Sequence, residues 1–179
     1  LTLRITTNNM KKNLILYIAV IFAIVILDQW TKHLVSANFY LGESVKVIDG
    51  LLNFTYARNT GAAFSFGGNF ENWARYLLFL ALPVIACIWL STLLVKSLSG
   101  PKILTWAYTL ILGGAIGNLI DRFRLDYVVD FIDFYQGNSH FATFNIADSA
   151  ITIAAGLLII DFFISKKQER EAKSKEETA

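Results

Sequence analysis

Four apolar stretches, each about as long as a lipid hydrocarbon core is thick, constrain this chain more than any other feature. They run Leu14–Val35, Trp73–Val95, Ile103–Ile120 and Ala147–Ile164, and the first opens with an unbroken apolar run to Leu27. About 20 helical residues at 1.5 Å each cross a hydrocarbon core of about 30 Å. A buried core helix of a water-soluble protein needs far more polar chain around it. Here 55% of residues are hydrophobic and only 17% charged, with a mean hydropathy of +0.49; soluble domains carry about 25% charged residues. The expected fold class is an integral membrane protein, mainly α, with four transmembrane helices.

The first span has features of a secretory signal peptide, with Lys11 and Lys12 before it and Val35-Ser36-Ala37 after it. Asp28, Lys32 and His33 fall where such a peptide wants small uncharged residues, so an uncleaved helix is expected. Leu1–Asn9 precede the single methionine, Met10, and read as an upstream extension. Residues 10–165 then form one membrane-embedded domain, and 166–179 form a charged cytoplasmic tail. Ten lysines and arginines lie before the first span, between the second and third, and after the fourth; five lie in the other segments. The positive-inside rule places both termini in the cytoplasm. Two segments, 36–72 and 121–146, then face outward.

Composition excludes several function classes. One cysteine, Cys87, rules out a disulfide-built module, and with two histidines it leaves too few ligands for a structural zinc. A net charge of +2 gives no argument for nucleic acid. In the first outer segment Leu52, Phe54 and Tyr56 alternate with Asn53, Thr55 and Ala57, the period of a strand, before an Asn59-Thr60-Gly61 turn. A short strand over Ala63–Phe66 and an interfacial cluster of Phe70, Trp73 and Tyr76 are expected to follow. Together these predict a small sheet on the outer membrane surface.

Polar residues inside apolar helices are costly, about 2.5–3.5 kcal/mol for a central aspartate, and mark sites. Asp28 and Lys32 stand four apart on one helix face and can pair. Gly113 and Gly117 let a neighbouring helix approach the third span. Asn118 and Asp121 then share a side, and the same spacing recurs in Asn145 and Asp148 where the fourth span begins. Asp148 taken singly reads as a helix cap. Two Asn-x-x-Asp pairs at adjacent helix ends read as a shared polar site. Between them lie Asp126, Asp130 and Asp133. One of these meeting Asp148 makes a carboxylate pair that shares a proton, the arrangement with which aspartic proteases cleave amides. Spacing does not choose among the three. No GxSxG, HExxH or serine–histidine arrangement offers a rival chemistry, and His33 and His140 are single residues. The competing class is a proton-coupled transporter or channel subunit, whose carboxylates are spread through the bilayer depth. Here they gather at the outer end, with only Asp161 near the inner one.

At these residues the chain resembles the bacterial signal peptidase II family of membrane aspartyl endopeptidases. The resemblance covers most of Met10–Ile164. It rests on Asp28-Gln29-x-x-Lys32, Asn59-Thr60-Gly61-Ala62-Ala63-Phe64, Gly117-Asn118-Leu119-Ile120-Asp121-Arg122, Val128-Val129-Asp130-Phe131 and Phe144-Asn145-Ile146-Ala147-Asp148-Ser149-Ala150. It implies a catalytic dyad of Asp130 and Asp148. It also implies substrate-binding or site-shaping roles for Asp28, Lys32, Asn59, Gly61, Asn118, Asp121, Arg122 and Asn145. The implied reaction is cleavage of a diacylglyceryl-modified prolipoprotein just before its lipidated cysteine, with no cofactor and no metal. The expected partners are lipid-modified prolipoproteins and membrane lipids, and not nucleic acid. The expected setting is a monomer in the bacterial cytoplasmic membrane, its site near the outer face.

Overall fold

The four apolar stretches form helices, and the chain between them returns repeatedly to one end of the bundle. The computed structural model describes residues 2–61 and 71–177. Helix α1 (Thr2–Asn38) leads into strands β1 (Ser44–Ile48) and β2 (Leu52–Asn59). The second apolar stretch is α2 (Asn72–Tyr76), a π-helical segment (Leu77–Ala81) and α3 (Leu82–Ser97) in continuous succession. Helix α4 (Lys102–Leu125), strands β3 (Val128–Gln136) and β4 (Ser139–His140), and helix α5 (Ile146–Glu177) complete it. Four helical regions are long and apolar enough to cross a membrane: Asn13–Asn38, Trp73–Ser97, Lys102–Leu125 and Ile146–Lys173. The expected strand over 63–66 and Phe70 lie outside the described residues.

Helix α4 is the centre of the bundle, packed against α1, α3 and α5. Half of its apolar window is buried, against 6–17% for the other three. The other helices present Ile15, Phe22, Ile85, Ile88, Trp89, Ile153 and Phe163 outward, a surface that only lipid solvates well. Small residues give α4 its position. A Cβ at Gly114 would collide with the Ala147 carbonyl, and one at Gly113 would lie 2.9 Å from Ile24 Cδ1. A Cβ at Gly117 would stand 2.7 Å from Asp28 Oδ2, so this glycine admits a charged side chain into the contact between α1 and α4. Helix α4 runs beyond the third apolar stretch to Leu125, so Asp121 and Arg122 are helical. Asp126 ends it in the left-handed conformation (φ 64°), its N–H donating to the Arg122 carbonyl.

The strands form one antiparallel sheet in the order β1-β2-β3-β4. In β2 the expected alternation is interrupted. A bulge between Phe54 and Ala57 shifts the register, so Asn53 and Tyr56 are buried and Phe54 is exposed. After the bulge Ala57 pairs with Asp130 and Asn59 with Val128, bringing the Asn59 turn beside the start of β3. Tyr56, Val129 and Phe131 pack on Val35, fastening the sheet to the end of α1. Phe144 pairs with Ile132 and receives N–H bonds from Phe131 and Ile132 (3.0 and 2.8 Å). That pairing delivers the chain into α5 directly beside Asp130.

The close α4–α5 approach is testable. Gly114→Val should lower the stability of detergent-solubilised protein by about 1–3 kcal/mol, because the new side chain meets backbone. Gly156→Ala, with open space around it, should melt like the parent. Equal melting temperatures for all three proteins would mean that α4 and α5 are not held this closely.

Candidate active site

Strand β3 and the first turn of α5 bring Asp130 and Asp148 to the same residue. Asn145 Nδ2 donates to Asp130 Oδ1 at 2.7 Å. The backbone N–H of Asn145 donates to Asp148 Oδ2 (3.3 Å), while Asn145 Oδ1 accepts from the Asp148 N–H (2.9 Å). This reciprocal pair is a capping box at the start of α5. The Asp148 side chain therefore both caps the helix and meets the other Asn-x-x-Asp pair, because its two oxygens serve different neighbours. Its Oδ1 accepts from Asn118 Nδ2 at 2.8 Å.

Asn118 has no freedom to turn its amide around. Its Oδ1 accepts from Lys32 Nζ (2.9 Å) and Asn145 Nδ2 (3.2 Å), leaving Nδ2 for Asp148. Lys32 in turn is 2% exposed and places its ammonium 2.8 Å from Asp28 Oδ2 and 3.0 Å from Asp121 Oδ2. The second oxygen of Asp28 accepts the Ala147 N–H (2.9 Å). Asp121 Oδ2 also accepts the Val129 N–H (3.0 Å). Every polar residue expected from the helices thus enters one network joining α1, α4, β3 and α5.

The β2 turn closes the other side. Asn59 Oδ1 accepts the Gly61 N–H (3.0 Å), which directs Asn59 Nδ2 to Asp130 Oδ2 at 3.2 Å. Arg122 Nη2 donates to the Gly61 carbonyl at 2.9 Å, holding this turn against α4. Residues Ala62–Phe64, the rest of the motif at this turn, lie outside the described residues. Asp130 is 1% exposed. Burial, and next the proximity of Asp148, push its carboxyl up to about 7, against the pull of the Asn59 and Asn145 amides and of Lys32. Asp148 is half-buried and lines a cavity of about 540 Å³. Asn59, Asn118 and Arg122 make the polar side of that cavity, and Val128, Phe144, Ile151 and Ile153 the apolar side. Asp130 lines an adjoining cavity of about 370 Å³, and Asn59 and Phe141–Thr143 border both.

The other two carboxylates go elsewhere. Asp126 caps α4 on the far side of Arg122, facing Arg75. Asp133 is buried under the sheet, accepting from Asn53 Nδ2 (3.3 Å), Thr55 Oγ1 (3.1 Å) and His140 Nδ1 (3.0 Å). Sequence reasoning assigns no role to two features. Gln29 donates to Asp121 Oδ1 (2.8 Å) and the Gly117 carbonyl (3.1 Å), supporting the network from α1. Its signal was an uncharged polar residue directly after Asp28 in an apolar helix. The Asp133–His140 pair had no signal, because the pairing of β3 with β4 brings its members together. Among the described residues, no three His, Cys, Asp or Glu side chains form a metal-ligand group.

Two buried-to-half-buried carboxyls, each held by fixed N–H donors and opening on adjoining cavities, can divide the work of acid and base. The chain as a whole is similar to known proteins. A family model described as signal peptidase (SPase) II matches residues 20–164. The lipoprotein signal peptidase of Shewanella sediminis is 48% identical over 84% of this chain and 85% of its own length. The lipoprotein signal peptidase of Klebsiella pneumoniae is 45% identical over 85% and 90%. A bacterial membrane enzyme solved by the in meso method superposes with a TM-score of 0.76 at 34% identity, covering 85% of this chain and 90% of that one. The chain therefore belongs to the signal peptidase II family, as a multi-pass bacterial membrane peptidase.

Proposed function

We propose that this protein is an aspartic endopeptidase that removes the signal peptide from diacylglyceryl-modified prolipoproteins, with Asp130 and Asp148 as its catalytic pair. The observation that carries the reading is the linkage of both carboxyls through Asn145, in a chain whose relatives are lipoprotein signal peptidases. The proton-coupled transporter reading is displaced by the family assignment.

In the proposed reaction Asp130 carries the proton and Asp148 the charge. Asp148 draws a proton from a water lying between them, and the resulting hydroxide attacks the scissile carbonyl. Asp130 gives its proton to the carbonyl oxygen. Collapse of the diol returns that proton to Asp130, while the proton on Asp148 passes to the leaving nitrogen. Asn118, Asn145 and Asn59 keep the carboxyls oriented, and Arg122 holds the Gly61 turn beside them. A signal peptide is itself an apolar helix, so its cleavage point comes level with the sheet end of the bundle. The apolar side of the 540 Å³ cavity suits side chains ahead of the cut, and the acyl chains stay in lipid. The lysine and arginine bias supports cytoplasmic termini, which puts the pair near the outer face. The enzyme is read as a monomer in contact with membrane lipid.

Asp130→Asn and Asp148→Asn should each remove at least about 10³-fold of turnover, and the double variant should lose little more, because the pair acts as a unit. Asp133→Asn should lower the melting temperature yet retain most activity, since among the described residues Asp133 bonds within the sheet. An active, folded Asp130→Asn enzyme would sink the dyad.

The pH dependence has a defined sign. Because protonated Asp130 is required and its carboxyl titrates at about 7, kcat/KM for a lipidated precursor should fall as pH rises through about 7. Stability should fall over the interval from about 4 to about 7, where the unfolded chain has released this proton and the folded chain has not. Asp130→Asn should flatten that stability slope. An unchanged slope would assign the elevated carboxyl elsewhere.

Substrate and orientation have separate tests. Purified enzyme with a chelator present should cleave a diacylglyceryl-modified precursor and leave the unmodified one intact; equal cleavage of both would remove the lipid requirement. Reporter fusions between Lys96 and Lys102 should read cytoplasmic, and those at Ser44–Ile48 outside. The reverse pattern would put the pair on the wrong face.

A further inference from the structure

A third cavity, polar and of about 290 Å³, lies between the π-helical segment and the end of α4. Arg122 borders both this cavity and the one beside Asp148. Arg75, Asp126 and Thr60 supply its other polar walls, and Phe79 and Leu80 its apolar one. Arg75 Nη2 donates to the Asp126 carbonyl at 3.2 Å, which fixes the guanidinium at the cavity wall. Its Nε is buried and, among the described residues, has no hydrogen-bond partner. Among the described residues the Asp126 carbonyl is the one acceptor for the five N–H donors of this guanidinium, which leaves its other Nη donors for an oxygen anion in the cavity. The π-helical segment is the backbone feature that presents Phe79 and Leu80 here, and such segments recur at ligand sites.

We propose that this cavity is an anion site that takes the phosphate group of a membrane phospholipid, gripped by Arg75 and Arg122. The planar guanidinium fork matches phosphate oxygens, and two of them border one small space. Asp126 stands beside the two guanidiniums, and Asp148, Asp130 and Asp121 also act on Arg122, so the positive charge left for a ligand is small and suits a monoanionic phosphodiester. A free phosphate dianion would be over-matched. The location also selects a lipid. The cavity sits where two spans meet the interface, and exposed Trp73 and Tyr76 flank Arg75 at the depth where headgroups lie. Phe79 and Leu80 lead from the polar walls toward the hydrocarbon side. This site does not depend on peptide cleavage, so its test is a binding measurement.

Full-length protein in detergent is titrated with dihexanoyl phosphatidylglycerol, with dihexanoyl glycerol lacking phosphate, and with inorganic phosphate, following melting temperature. Native mass spectrometry counts phospholipid carried through purification. The phospholipid should raise the melting temperature of the parent and the phosphate-free lipid should not. Arg75→Gln should weaken phospholipid binding roughly tenfold or more, as expected for loss of one charge-assisted hydrogen-bonding group. Arg75→Lys should recover part of it, which separates loss of the site from loss of the fold. Equal retention of phospholipid by the parent and Arg75→Gln would overturn the proposal, as would equal shifts from lipids with and without phosphate. An Arg75-dependent response to inorganic phosphate alone would overturn the lipid assignment while leaving an anion site.

Discussion

Lys32 carries a full positive charge into the interior of a helix bundle, and the rest of the site is arranged around it. An ammonium group has three N–H donors, and here they meet Asp28, Asp121 and Asn118. The two carboxylates pass the constraint on. Asp28 takes the backbone N–H of Ala147 in the first turn of α5, and Asp121 takes that of Val129 at the start of β3. Those are the two elements that hold Asp148 and Asp130. One buried cation therefore fixes where a helix begins and where a strand begins. Leaving either carboxylate without its partner would cost about 3–5 kcal/mol. That penalty makes the network an all-or-none unit, and Gly117 is the residue that lets it fit between α1 and α4.

The parts of this molecule that were legible in the sequence are those governed by solvent. Four helices follow from hydropathy, because lipid allows a spanning chain few other ways to satisfy its backbone. The polar residues within them stood out because lipid makes such residues expensive, and Asp28, Lys32, Asn118, Asp121, Asn145 and Asp148 do meet. What stayed hidden depends on backbone details that composition does not encode. Asp126, Asp130 and Asp133 look alike in sequence. They part because Asp126 adopts a left-handed cap and Asp130 and Asp133 occupy strand positions paired with different parts of β2. The bulge at Phe54–Ala57 overrides the period-two pattern and buries Asn53, giving Asp133 its own partner. The π-helical segment left no trace in an apolar stretch, since widening a helix by one residue per turn changes no hydropathy.

Asn145 joins a strand to a helix in an unusual way. Its side chain belongs to Asp130 and its backbone belongs to Asp148, so the spacing of the two carboxyls is set within a single residue. Bilayers thin, thicken and tilt the helices that cross them, at a cost of fractions of a kcal/mol per ångström. A pair of groups mounted on two independent spans would drift apart with each such deformation. Here a tilt of α5 carries Asn145 and Asp148 together, and Phe144, bonded to Ile132, draws β3 along with them. The spacing of the pair is thereby insulated from the mechanics of the surrounding lipid, and the same geometry can persist in membranes of different thickness.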